Sequence, residues 1–83
     1  MGTKNNPGAF DCYTKAMPDE PMFVLLARDP KAPQTIRKWV KRRTQMIAAG
    51  DAPASDIDML TEAKQCAKAM EAWRKAHDGE WRQ

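Results

Sequence analysis

From Ile36 to Gly50 the chain places apolar and basic residues on opposite sides of a helical wheel. At about 100° per residue, Ile36, Trp39, Val40, Met46 and Ile47 share one arc. Arg37, Lys38, Lys41 and Arg42 occupy the other side, while Arg43 falls within the apolar arc. The pattern predicts an amphipathic helix with Asp29 as its N-cap, Pro30 at its first position and Pro33 in its first turn. Gly50 is a natural stop. A second stripe carries Met59, Leu60, Ala63, Cys66, Ala67, Met70 and Trp73. It predicts a helix that starts at Ser55, with Asp56 and Asp58 favouring its positive end. Its small residues allow close approach to a neighbouring helix. Pro18–Asp29 reads as a shorter helix with Pro21 at the first position and the unbroken run Met22–Ala27 behind it. A strand is the rival reading, although Val24 is its only β-branched residue.

These elements predict an all-α fold: one small three-helix domain with an extended N-terminal arm, assembled as a homo-oligomer. Residues 1–18 form the arm, with a short turn near Phe10–Lys15; residues 19–78 hold the helices; residues 79–83 are a tail. Self-association follows from supply, since three helices in 83 residues cannot hide this much apolar surface.

Charge sharpens the picture. The net charge is +3, yet Arg28–Arg43 holds seven basic residues and one acidic one. That window carries +6, so the rest of the chain carries −3. Cations on one helix face suit phosphates, and these have no acidic partner at i+4. A solvated outer face is the plain alternative. Arg28, Arg37, Lys41 and Arg43 are the candidate phosphate ligands. For Arg28 and Arg43, an internal salt bridge with Asp29, Glu62 or Glu71 is the alternative. Tyr13 and Trp39 are candidates for stacking on a base, or else anchor the arm and cover the core. Phe23 and Trp73 read as core.

Little else suggests chemistry. His77 is the only histidine and sits where a helix C-terminus favours a cation. Asp19 with Glu20, and Asp56 with Asp58, read as capping residues. Nothing resembles a nucleophile elbow, a Walker loop or a dinucleotide fingerprint. An enzyme is not expected, nor a cofactor or metal. Cys12 and Cys66 read as free thiols of a reducing compartment, with a single bridge as the alternative. The N-terminus has no apolar signal core, and Gly2 lacks the rest of a myristoylation motif. No run approaches the ~20 residues that span a bilayer. No membrane association is expected, and a cytoplasmic location is.

The segments "FDCYTKAMPDEPMFVLLARDPKAPQTIRKW" and "CAKAMEAWRK" resemble a family of small phage and prophage proteins of unknown biochemical function. The likeness covers most of residues 10–76. It implies the cytoplasm of an infected bacterium rather than a reaction. Small phage proteins of similar scale include sponges that sequester cyclic or ADP-ribose-type signalling nucleotides. Such an anti-defence role is the leading expectation. A protein–protein inhibitor of a host defence complex, for example an anti-CRISPR, and a small nucleic-acid-binding module are the alternatives.

Overall fold

The computed structural model describes residues 1–77. It is helical, with no strand among those residues. Among the described residues there are three α-helices: α1 (Cys12–Lys15), α2 (Ala32–Ala48) and α3 (Ile57–Ala76). A single 3-10 turn, Ala54–Asp56, leads into α3. The expected tail and the expected end of the last helix at Gly79 lie outside the described residues.

Packing of α2 against α3 makes the core. Ala63 and Ala67 on α3 are 1% and 0% exposed, so the two backbones meet closely, as the small-residue stripe predicts. Val40 and Leu60 fill the contact, with Ile36, Ile47 and Met1 at its edge. Only five hydrophobic residues are buried among those described, two of them with side chains larger than methyl. The core is thin, as expected for a domain this small. Trp73 is 37% exposed and lies at the rim rather than inside.

A Schellman motif ends α2. The Asp51 N–H donates to the Met46 carbonyl at 2.8 Å and the Gly50 N–H to the Ile47 carbonyl at 3.1 Å. Gly50 takes φ +82°, the left-handed region that favours glycine.

The start of α2 differs from expectation. Its first residue is Ala32, and Lys31, not Asp29, occupies the cap position. The Asp29 carboxylate accepts the Lys31 N–H at 2.9 Å, closing an Asx-type turn ahead of the helix. Pro30 belongs to this turn, while Pro33 does fall in the first helical turn. The Ala32 N–H donates to the Asp29 carbonyl at 3.1 Å, so Asp29–Ala32 closes as a separate turn and the helix begins after it.

The larger difference concerns Pro18–Asp29. No helix forms there; the short helix lies earlier, at Cys12–Lys15. Glu20 closes a local turn instead of capping a helix: its N–H donates to the Met17 carbonyl, and its carboxylate accepts the Met17 N–H. A second turn, Asp29 N–H to Leu26 carbonyl, closes the far end. Between Pro21 and that turn there is room for fewer than two helical turns, and so short a helix needs packing to survive. Only Leu25 and Ala27 are half-buried, whereas Phe23 is 83% exposed and not core. Leu25 to Arg28 pass beside Cys66, Met70 and Trp73 of α3, and the Arg74 guanidinium donates to the Arg28 carbonyl.

Residues 1–11 are tied to α3 by one carboxylate. Glu62 accepts the backbone N–H of Ala9 at 3.1 Å and of Phe10 at 3.2 Å, and pairs with the Met1 ammonium. Asp11 pairs with the same ammonium and accepts the N–H of Gly8 and Gly2. The ammonium holds both carboxyls below their ordinary range, helped by those amides. Burial works against the charged amine, yet the two carboxylates raise its pKa overall. No helix among the described residues is long and apolar enough to cross a membrane.

Candidate anion-binding groove between α2 and α3

Small residues hold α2 and α3 close at their core, and longer side chains splay above the seam. The result is an open groove of about 570 Å³ lined by Arg37, Val40, Lys41, Thr44 and Gln45 of α2 and by Lys64 and Lys68 of α3. Val40 forms an apolar floor. The rims are two i,i+4 pairs of cations, Arg37 with Lys41 and Lys64 with Lys68. Like charges at this spacing oppose helix formation slightly, and here two such pairs line one cleft.

Their electrostatic states differ. Arg37 is engaged: its guanidinium grips Glu71 of α3 in a bidentate pair, with N–O distances of 2.8 and 2.7 Å. The pair lowers the Glu71 pKa and raises that of Arg37. It is about half exposed, so water screens it and a stronger anion can compete for the arginine. Lys41, Lys64 and Lys68 make no ion pair among the described residues. The Thr44 hydroxyl donates to the Val40 carbonyl and is occupied, whereas the Gln45 amide has no such bond. The groove can therefore offer three lysines, one arginine in reserve and one amide to an anion.

The structure gathers some of the expected ligands and separates others. Arg37 and Lys41 share the groove. Arg43 points away from it, into a cluster with Asp56 at 2.9 Å and with its guanidinium 5.4 Å from the Trp39 ring centre. That distance suits a cation–π contact. Arg43 thus fastens the 3-10 turn to α2. Its partner is Asp56, not the Asp29, Glu62 or Glu71 that sequence offered. Asp56 in turn makes no capping hydrogen bond. Trp39, 37% exposed, lies against Arg43 and is not among the residues lining the groove. Arg28 stands exposed in the turn before α2, and Tyr13 stands 78% exposed on α1.

Lys64 and Lys68 were missed in the sequence. Their signal was the i,i+4 spacing on the polar side of the last helix, obscured by the stronger basic run at Arg37–Arg43. His77 stacks on Trp73, with centroids 4.1 Å apart, and its Nδ1 lies 2.9 Å from the Trp73 carbonyl. Cys12 and Cys66 are both free thiols, and burial raises the pKa of Cys66. No group of three or more metal-ligating side chains occurs among the described residues. Comparison with protein families, with characterised proteins and with solved structures finds no match to this chain.

Proposed function

We propose that this chain binds a phosphate-bearing nucleotide in the α2–α3 groove and withholds it without turnover. The observation that carries the reading is the set of cations on the two facing helices, three of them without an acidic partner among the described residues. A dianionic phosphate seated between Lys41 and the Lys64–Lys68 pair would relieve the repulsion within both rims. The volume lies within the ~300–1,000 Å³ usual for small-molecule sites. Because no aromatic side chain among the described residues lines the groove, recognition there rests on phosphates and not on base stacking. Tyr13 and Trp39 are left out of the site, and selectivity among nucleobases is expected to be weak.

The resemblance of most of residues 10–76 to small phage proteins implies a phage context, and an anti-defence role fits that context. In that role the ligand is a cyclic oligonucleotide or an ADP-ribose-type signal, kept from a host effector. The test is thermal unfolding against a panel of such nucleotides. A ligand at one hundred times its Kd adds about 2.7 kcal/mol. For a domain of this size each kcal/mol raises the midpoint by roughly 4–8 °C. The Lys64→Ala/Lys68→Ala variant should lose the shift. If no nucleotide moves the midpoint, or the double variant keeps the full shift, the reading fails. Salt-sensitive binding of generic duplex DNA in place of any nucleotide would point to a nucleic-acid module.

A further inference from the structure

Residues 13–26 leave six large apolar side chains exposed: Tyr13 78%, Met17 67%, Met22 47%, Phe23 83%, Val24 55% and Leu26 53%. They belong to one region, since Cys12, Lys15 and Ala16 of α1 line the same cleft as Pro21, Met22 and Phe23. At roughly 150–200 Å² per side chain, the four on Pro21–Ala27 expose roughly 350–500 Å² per copy, and Tyr13 and Met17 bring the region to roughly 600–750 Å². That approaches the ~800 Å² each partner contributes to a stable interface.

The backbone adds a second observation. No N–H of Met22 to Leu25 and no carbonyl of Pro21 to Leu25 makes a hydrogen bond among the described residues. From Val24 onward burial alternates: Leu25 and Ala27 are half-buried while Val24, Leu26 and Arg28 are exposed; Pro21, Met22 and Phe23 are all exposed. An apolar segment with a two-residue burial period and unmade hydrogen bonds is a template for strand pairing.

Charge selects the occupant. Antiparallel pairing of Pro21–Ala27 with itself about a two-fold axis at Val24 sets residue i opposite residue 48 − i. Met22 then meets Leu26 of the second copy, Val24 meets Val24, and Glu20 meets Arg28 at both ends. Arg28 has no ion pair among the described residues, and Glu20 uses its carboxylate only for the local Met17 N–H. Moving the axis by one residue to Phe23 sets Glu20 against Leu26; moving it to Leu25 sets Arg28 against Met22. Of these three axes only the one at Val24 pairs Glu20 with Arg28; it also sets Asp19 opposite Asp29, whose carboxylate is engaged by the Lys31 N–H. We propose that a second copy of this chain docks on Pro21–Ala27 in this register, forming an isologous dimer with a two-stranded antiparallel ribbon at its centre. Arg28, exposed at the end of an apolar run, is then an interface residue that fixes register.

Light scattering on the full chain over a range of concentrations tests this. A mass of twice the chain is expected. Val24→Lys should give a monomer with unchanged helical circular dichroism. Arg28→Glu should weaken the dimer by about tenfold or more, through like charges at both ends. The Glu20→Arg/Arg28→Glu double reversal should restore it. Should Val24→Lys fail to fold, Val24→Cys in a Cys12→Ser/Cys66→Ser background gives the same information, because a residue on the axis cross-links to itself on oxidation. A monomeric wild type, including one that binds vesicles or another protein instead, overturns the proposal. So does a Val24→Lys dimer, a double reversal that stays weak, or a Val24→Cys chain that does not cross-link. None of these results depends on nucleotide binding.

Discussion

Leu60→Ala probes the thinness of the core directly. Leu60 is 4% exposed and packs with Val40 and Ala63, with Ile36 and Ile47 at the edge. Truncation removes three carbon groups, worth about 2.4 kcal/mol by transfer at ~0.8 kcal/mol each. The void adds to this, because Ala63 and Ala67 are already methyl-sized and cannot fill it; about 2.5–4 kcal/mol in all is expected. A chain of this length has roughly 4–12 kcal/mol of stability altogether. One substitution therefore removes a large share, lowering the thermal midpoint by roughly 10–30 °C. Phe23→Ala is the control. Phe is the larger side chain, but Phe23 is 83% exposed, so its truncation should cost no more than about 0.5 kcal/mol. Both are measured by thermal and urea unfolding of the helical signal, at concentrations where the chain is monomeric. If Phe23→Ala costs as much as Leu60→Ala, the Met22–Ala27 run is buried within one copy, and the account of the fold is wrong.

Three further outcomes are expected. Glu71→Gln frees Arg37 for the groove, so it should tighten binding of inorganic phosphate or a nucleotide while leaving the unfolding midpoint nearly unchanged; weaker binding in a calorimetric titration would refute the competition. Gly50→Ala should cost about 1–2 kcal/mol, all of it backbone strain at φ +82°, since an added Cβ meets nothing within 4 Å. A neutral result in urea unfolding would mean the Schellman end of α2 is not held. Finally, the arm should loosen in acid. The Glu62 and Asp11 carboxyls lie below their ordinary 4.5 and 3.8, so their contribution is complete above those values and is lost as pH falls through the lower folded ones. The Met1 amine lies above its ordinary 8.0, so its share is complete below that value and is lost as pH rises through the raised one. Hydrogen exchange of the Ala9 and Phe10 amides should therefore speed up, relative to a reference peptide, at both extremes and stay slow between them.

The long helices were legible because their signals are local. The spacing of Ile36, Val40 and Ile47, the stop at Gly50 and the alanine stripe of α3 each act within a few residues. The Met22–Ala27 run was misread because apolar character says only that a segment wants cover. Whether it becomes a helix depends on a neighbour to pack against, and Phe23, 83% exposed, finds little cover among the described residues. In sequence, Asp29 and Asp56 look like caps because a carboxylate near a helix start usually is one. Asp29 instead closes a turn, and Asp56 is claimed by Arg43, thirteen residues away in the chain.

By itself, then, the sequence determined an all-α chain with two amphipathic helices, a sharp end to α2 and a local excess of positive charge. These follow from backbone propensity and periodicity, which act over a turn or two. The tertiary structure decided which cations stand together. The approach of α2 and α3 over Ala63 and Ala67 turns two separate i,i+4 pairs into one groove, ties Arg37 to Glu71, and sends Arg43 to Asp56. Charge in a sequence has a sign and a place along the chain. Its partner is set by distance in space, which only the packed helices fix.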